Sequence, residues 1–361
     1  MSRLAILSAG GDCPGINAVI RAVAKTADQR GWEVVGFRNG YRGAVENDFL
    51  MLGPEETAGL LPRGGTVLGT DNRYDPSDFP VEEDGRVVRR DLSQQVADNL
   101  QRLDVQGLIA IGGDGTMAVT RKLIEKVGLK AICVPKTIDN DLPSTDQTFG
   151  FDTAVRTATD ALDKLHTTAE SHHRVMVLEL MGRYAGWIAL YTGLSGGADV
   201  ILIPEIRWDP DVVARKILER RARGRLFSVV VVAEGTLTPE GERVVQRRVP
   251  DSHEQIRLGG IGQLVGELIE EKTGIETRVT ILGHIQRGGS PSPYDRMLAT
   301  RLGVAAGELA LEGRYGNLVA LRQGTIQAVP LDQVETGIRT VRPDGPEVEA
   351  ARAIGICFGD R

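Results

Sequence analysis

The segment Pro135-Lys136-Thr137-Ile138-Asp139-Asn140-Asp141 sets two carboxylates and an amide within three residues, directly after an apolar run. On such a loop one acid can take the proton of an attacking hydroxyl while the other holds substrate or metal-bound water. The same residues could also make a plain polar turn. A second segment, Gly112-Gly113-Asp114-Gly115-Thr116, again follows an apolar run. Its glycines let a nucleotide lie against backbone, and Asp114 is a hard oxygen ligand suited to a Mg²⁺ that bridges phosphates. Asp114 could instead only cap a helix. A third segment runs from Ser8 through Gly10, Gly11 and Gly15 to Asn17. Its glycines free backbone N–H groups for a phosphate, and a following helix adds partial positive charge. It lacks the Gly-Lys-Ser/Thr ending of a Walker loop.

Something regular must position these loops. Short Val-, Ile- and Leu-rich runs at 4–7, 33–37, 107–111, 131–134, 175–180, 200–203, 227–233 and 279–282 read as strands buried on both faces. Helical patterns separate them at 17–30, 116–127, 153–169, 184–194, 211–223, 261–273 and 293–311. This alternation predicts an α/β fold with mostly parallel sheets, and the motifs fall at the strand ends where such sheets bind ligands. Residues 71–92 are polar and read as an exposed hairpin or a lid.

Bulk composition narrows the field. The length of 361 residues suggests two domains. Glycine is in excess at 44 residues but has no collagen period, and much of it comes in doublets. The net charge of −6 argues against nucleic acid as the main partner. Three cysteines without metal spacing favour a reducing, cytoplasmic setting, and neither a signal peptide nor a membrane span is expected.

Five segments, SAGGDCPGIN, GGDGT, PKTIDND, MGRYAG and GHIQRGGSP, occur in the order and spacing of the phosphofructokinase family, and nearly the whole chain resembles that family. The resemblance implies two Rossmann-like, three-layer domains. One would comprise 1–150 plus about 285–325 and bind nucleotide and Mg²⁺. The other would comprise 151–284 plus about 326–361 and bind fructose 6-phosphate. Asp139 resembles the catalytic base that accepts the proton of the sugar 1-hydroxyl. Gly11, Arg73, Gly113, Asp114, Gly115 and Thr116 are similar to nucleotide-binding residues, with Asp114 at the metal. Thr137, Asp141, Met181, Gly182, Arg183 and Glu234 resemble sugar-site residues. Arg174, Arg278, His284 and Arg287 resemble the clamp on the substrate phosphate and reacting centre. The family counterparts of Arg174 and Arg278 reach in from a neighbouring subunit, which implies a homodimer or homotetramer with shared active sites.

Two positions bear on the phosphoryl donor. Gly115 resembles the ATP-dependent members, whereas Lys136 resembles the pyrophosphate-dependent ones, as in the mixed-substrate branch. A carboxylate at 115 would project toward the nucleotide α-phosphate, and glycine leaves that space open. The expectation is an ATP-dependent 6-phosphofructokinase of glycolysis, with the pyrophosphate-dependent reaction as the alternative. An NAD or lipid kinase would account only for GGDGT. A catalytically silent subunit would have no need of Asp139 and Asp114. The loop 64–73 is one residue longer than the family pattern, around Asn72 and Arg73.

Overall fold

A computed structural model of the chain describes residues 2–248 and 256–361. The first stretch carries β1 (Arg3–Ser8), α1 (Ile16–Asp28), β2 (Glu33–Phe37), α2 (Tyr41–Glu46), β3 (Phe49–Met51), β4 (Phe79–Glu83), β5 (Arg86–Arg90), α3 (Ser93–Arg102), β6 (Val105–Gly112), α4 (Asp114–Val127) and β7 (Ala131–Pro135). Next come α5 (Phe151–His172), β8 (Val175–Leu180), α6 (Trp187–Ser195), β9 (Val200–Leu202), α7 (Pro210–Ala222), β10 (Ser228–Ala233), β11 (Val245–Arg248), β12 (Ile256–Leu258), α8 (Ile261–Thr273) and β13 (Thr277–Ile281). The chain closes with α9 (Pro293–Leu311), β14 (Asn317–Arg322), β15 (Thr325–Pro330) and α10 (Pro346–Ala353).

The chain divides into two units. The first comprises Met1–Ile138, Leu142–Gly150 and Arg287–Gly337; the second comprises Asp139–Asp141, Phe151–Gln286 and Ile338–Arg361. The first unit therefore runs past the boundary read near 325 from the sequence. The cause is β15, which pairs antiparallel with β14 along its whole length and so belongs to the first sheet.

The first unit is built on one seven-stranded sheet in the order β15-β14-β7-β6-β1-β2-β3. Its interior pairs are parallel, and antiparallel β3 and β15 close its two edges. Alternate residues such as Ala5, Leu7, Leu108, Ala110 and Cys133 point to one face, where Val96 and Leu100 of α3 and Met117 and Leu123 of α4 cover them. Helices α1 and α9 pack together and contact the sheet through β1, β2, β6 and β7. Helix α9 starts where Ser292 accepts a hydrogen bond from the Asp295 N–H and Pro293 takes the first helical position. Strands β4 and β5 form the exposed hairpin expected within 71–92. Its turn is Asp84-Gly85, both with positive φ, as a tight two-residue hairpin turn requires.

The second unit holds a four-stranded parallel sheet in the order β13-β8-β10-β9. Val175, Val177, Val230 and Val232 meet Val213 and Ile217 of α7 and Ile261, Val265 and Ile269 of α8 on one face. Helices α5 and α6 contact β8 and β10. Both sheets are thus flanked by helices, as the α/β pattern predicts. Strands β11 and β12 form a separate antiparallel pair.

Candidate active site

In the first unit, β7, β6 and β1 are neighbours and parallel, so the loops after them leave the same edge of the sheet. The ladder continues into those loops. Ala9 N–H donates to the Ile111 carbonyl at 2.9 Å, and Lys136 N–H donates to the Gly112 carbonyl at 3.0 Å. This juxtaposes the three motif segments as far as Ile138. Gly112 tolerates no side chain, because a Cβ there would lie 2.1 Å from Oγ1 of Thr116. Thr116 is buried under the first turn of α4, while Asp114 is exposed at its start and Gly115 is half-buried beside it. Free N–H groups at this helix start, with its positive dipole end, suit an anion.

Two cations border the first glycine loop. Lys136 is only 4 % exposed, and its ammonium donates to the Gly11 carbonyl. Burial pushes its pKa below the usual lysine value, against the opposing pull of Asp12 and Asp114. Arg287 donates from Nη1 to the Asp12 carbonyl at 3.1 Å. A Cβ on Gly11 would sit 2.9 Å from that same nitrogen, so glycine is what lets the guanidinium lie on the loop. The sequence groups Arg287 with Arg174 and Arg278; the structure places it in the first unit, against the glycine loop.

Arg73 lies on the longer loop. Its guanidinium pairs with Asp71, Nε to Oδ1 at 3.2 Å and Nη2 to Oδ2 at 2.9 Å, and it covers the Tyr74 ring at 5.6 Å. Asp71 is tied to the first glycine loop, since its carbonyl accepts from Gly10 N–H at 3.1 Å. A close backbone approach fixes the start of the same loop: a Cβ on Gly64 would lie 2.0 Å from the Gly289 carbonyl oxygen.

The second unit collects the remaining candidates. Met181, Gly182 and Arg183 follow β8, and Glu234 follows β10. The two loops are stitched together. Glu234 N–H donates to the Leu180 carbonyl at 2.8 Å, and Gly235 N–H donates to the Gly182 carbonyl at 3.0 Å. The guanidinium of Arg183 lies over the Tyr184 ring at 5.2 Å, with Arg243 over that ring at 4.7 Å. Asp139 and Asp141 belong to this unit, whereas Thr137 lies in the first. Arg174 and Arg278 converge on Glu276: Arg174 Nε meets Oε2 at 2.6 Å, and Arg278 Nη2 donates to Oε1. His284 is exposed on the turn after β13.

Among the described residues no cluster of three or more His, Cys, Asp or Glu is arranged to hold a metal ion by itself. A phosphate-borne Mg²⁺ needs less. It keeps waters and takes one or two carboxylates along with substrate oxygens. The exposed Asp114 beside the anion-suited helix start fits that donor set.

The sequence pattern of the family described as Phosphofructokinase matches residues 3–310. This chain belongs to the phosphofructokinase family. An ATP-dependent 6-phosphofructokinase 2 of Clostridium perfringens is 49% identical over 100% of this chain and 99% of its own length. A pyrophosphate--fructose 6-phosphate 1-phosphotransferase of Streptomyces coelicolor is 47% identical over 99% of this chain and 100% of its own. Among solved structures, a pyrophosphate-dependent phosphofructokinase from Nitrosospira multiformis superposes with a TM-score of 0.81 over 99% of this chain and 93% of its own. At 22% identity that likeness speaks to the fold alone. No helix among the described residues of this phosphofructokinase is long and apolar enough to cross a membrane.

Sequence reasoning missed two polar residues that shape these loops. Asp71 holds Arg73, and Arg339 hydrogen-bonds the backbone of the Asn140 segment. Only the extra length of the 64–73 loop hinted at the first. Nothing in the sequence pointed to the second.

Proposed function

We propose that this phosphofructokinase transfers the γ-phosphoryl group of ATP to the 1-hydroxyl of fructose 6-phosphate, giving fructose 1,6-bisphosphate and ADP as a step of glycolysis. The first unit binds the donor through Gly11, Arg73, Gly113, Asp114, Gly115 and Thr116. The second binds the sugar phosphate through Asp141, Met181, Gly182, Arg183, Glu234, Arg174, Arg278 and His284. Thr137 and Arg287 serve the transferred group. Asp139 takes the hydroxyl proton as O1 attacks the γ-phosphorus; the new O–P bond forms as the bond to the β-phosphate oxygen breaks, and ADP leaves. No covalent enzyme intermediate is needed, because positioning and charge neutralisation lower the barrier. Asp114, together with the donor phosphates, would hold a Mg²⁺, which would supply charge neutralisation there.

The observation that carries ATP as donor is Gly115, which presents no side chain in the first turn of α4. The Clostridium perfringens relative, named for ATP, supports it. Lys136 favours the second reading, pyrophosphate, together with the Streptomyces coelicolor relative. Parallel assays of the purified protein with fructose 6-phosphate and either ATP or pyrophosphate separate the two. Turnover with pyrophosphate alone would overturn the ATP assignment.

Arg278 lies on the edge strand β13, and Arg174, just before the neighbouring β8, meets it at Glu276; we read the two as serving a neighbouring copy's substrate phosphate in a homodimer or homotetramer. Three free thiols, Cys13, Cys133 and Cys357, support a reducing, cytoplasmic setting.

A further inference from the structure

The segment 139–141 carries the proposed base, yet it is neither strand nor helix, and Asn140 at its centre has φ 53°. A non-glycine residue in the left-handed region persists only where its surroundings fix it, although asparagine tolerates that region better than most. Something must therefore hold this backbone.

Arg339 does so, from a point nearly two hundred residues away in sequence. Its guanidinium donates twice to the Asn140 carbonyl, from Nη2 at 2.8 Å and from Nε at 3.2 Å. Its backbone N–H donates to the Asp141 carbonyl at 2.8 Å. These bonds fix two successive carbonyls, the first being the one that follows Asp139 in the chain. The guanidinium is itself immobilised, lying over the Trp187 ring at 4.8 Å. Trp187 Nε1–H donates to the Arg339 carbonyl at 2.8 Å. Two residues on, Val341 N–H donates to Oε1 of Glu205 at 2.8 Å, and that carboxylate also accepts Gly186 N–H at 2.9 Å. Residues 339–341 thus form a strap fastened to the start of α6 at one side and to the Asp139 loop at the other. The strap lies outside the stretch 3–310 that matches the family pattern.

We infer that Arg339 is a positioning residue for the reaction, setting the orientation of Asp139 through the Asn140 and Asp141 carbonyls. This rests on the reading of Asp139 as the base. Charge-assisted bonds to a carbonyl are stronger than neutral ones, and two of them from one planar group constrain direction as well as distance. A misplacement of about 1 Å at a reacting group can cost on the order of 100-fold in rate. The donor loops of the first unit make no part of this strap, so its loss separates turnover from donor binding.

The experiment uses the full-length enzyme with Arg339→Met, Arg339→Lys and, as control, Asp139→Asn. Arg339→Met is expected to lower kcat by about 10- to 100-fold with the donor KM unchanged within about twofold. Amide hydrogen exchange should quicken in peptides covering 139–142 and not in α4. Arg339→Lys keeps the charge and the strap's backbone bonds, so it should fold and fall between wild type and the Met variant. Should the Met variant not fold, the Lys variant decides by the same split. A kcat unchanged in the folded variants, or a loss accompanied by an equal rise in donor KM, overturns the inference. Undiminished turnover in Asp139→Asn would instead sink the reading of Asp139 as the base, while the exchange result would still report whether Arg339 holds the loop.

Discussion

The ammonium of Lys136 donates to the carbonyl of Gly11, closing one side of the first glycine loop with a buried charge. Burial dominates its surroundings and lowers its pKa below the ordinary value near 10.5. The unfolded chain therefore holds this proton more tightly than the fold does. Below the folded pKa the burial cost is fully present, and stability rises as pH climbs from that value toward 10.5. Lys136→Met should remove the cost. Thermal melts at pH 7 should show a gain of roughly 2 °C or more, with a flatter rise of stability into the alkaline range. The same variant should bind the donor more weakly, so its donor KM should rise while its melting temperature rises too. A lower melting temperature would mean that the Gly11 bond outweighs the desolvation.

Gly115 invites the reverse exchange of donor. Asp in its place would add a carboxylate in the first turn of α4, one residue after Asp114. Two negative groups at the helix start proposed to receive the nucleotide would oppose its α-phosphate at close range. Gly115→Asp should reduce kcat/KM for ATP by about 100-fold or more, roughly 3 kcal/mol in the transition state. Its kcat/KM for pyrophosphate, which has no α-phosphate ester to accommodate, should fall far less. Steady-state rates with both donors provide the check, and equal losses would show that the turn itself had been distorted.

Two of the three thiols, those of Cys13 and Cys133, should be silent. Cys13 lies fully buried within the first glycine loop and Cys133 in β7, and burial pushes each up to about 12. At pH 8 almost no thiolate exists at either position, and the thiolate is the reactive form. Cys13 is also boxed in: a Cβ on Gly150 would lie 2.7 Å from its sulfur. Iodoacetamide at pH 8 should leave both unmodified by peptide mass spectrometry, with no loss of activity, until denaturant is added. Labelling of Cys13 in the native enzyme would reveal opening of the loop.

Much of this architecture could be read from residues that serve themselves or their near neighbours. The runs that became β1, β6, β7, β8 and β10 are apolar on both faces, and burial on both faces is what such runs specify. The glycine motifs were legible because paired glycines at the end of a buried strand point to backbone that turns tightly or lets another group come close. Short or edge elements were not. β3 spans three residues, and β15, Thr325–Pro330, alternates like any exposed loop segment. Those strands exist because β2 and β14 offer them backbone partners. The doublet Gly259-Gly260 reads from sequence only as a turn. In the fold it wraps the buried carboxylate of Glu179, which accepts Gly260 N–H at 3.0 Å and Gly262 N–H at 2.7 Å. Arg339 was invisible for the same reason, since its partners are carbonyls, and carbonyls carry no residue identity.

Glu276 offers the last test, because it holds the two arginines proposed for the substrate phosphate. Arg174 reaches one carboxylate oxygen at 2.6 Å and Arg278 reaches the other. The hydrogen bond from Arg174 is the main reason its pKa falls below the usual carboxylate value. The pair's contribution is therefore present above the unfolded carboxylate pKa and fades as acid titrates Glu276 through its lower folded pKa. A phosphate arriving at these guanidinia competes with Glu276 for the same donors. Glu276→Gln keeps the shape and removes the charge, so phosphate attraction should strengthen and the fructose 6-phosphate KM should fall by a few-fold. Donor KM should not move. Added salt should narrow the difference, since exposed charges are screened. A higher sugar KM in Glu276→Gln would mean that the carboxylate aims the arginines rather than competes for them, and Arg174→Met in the same background would then have no further effect.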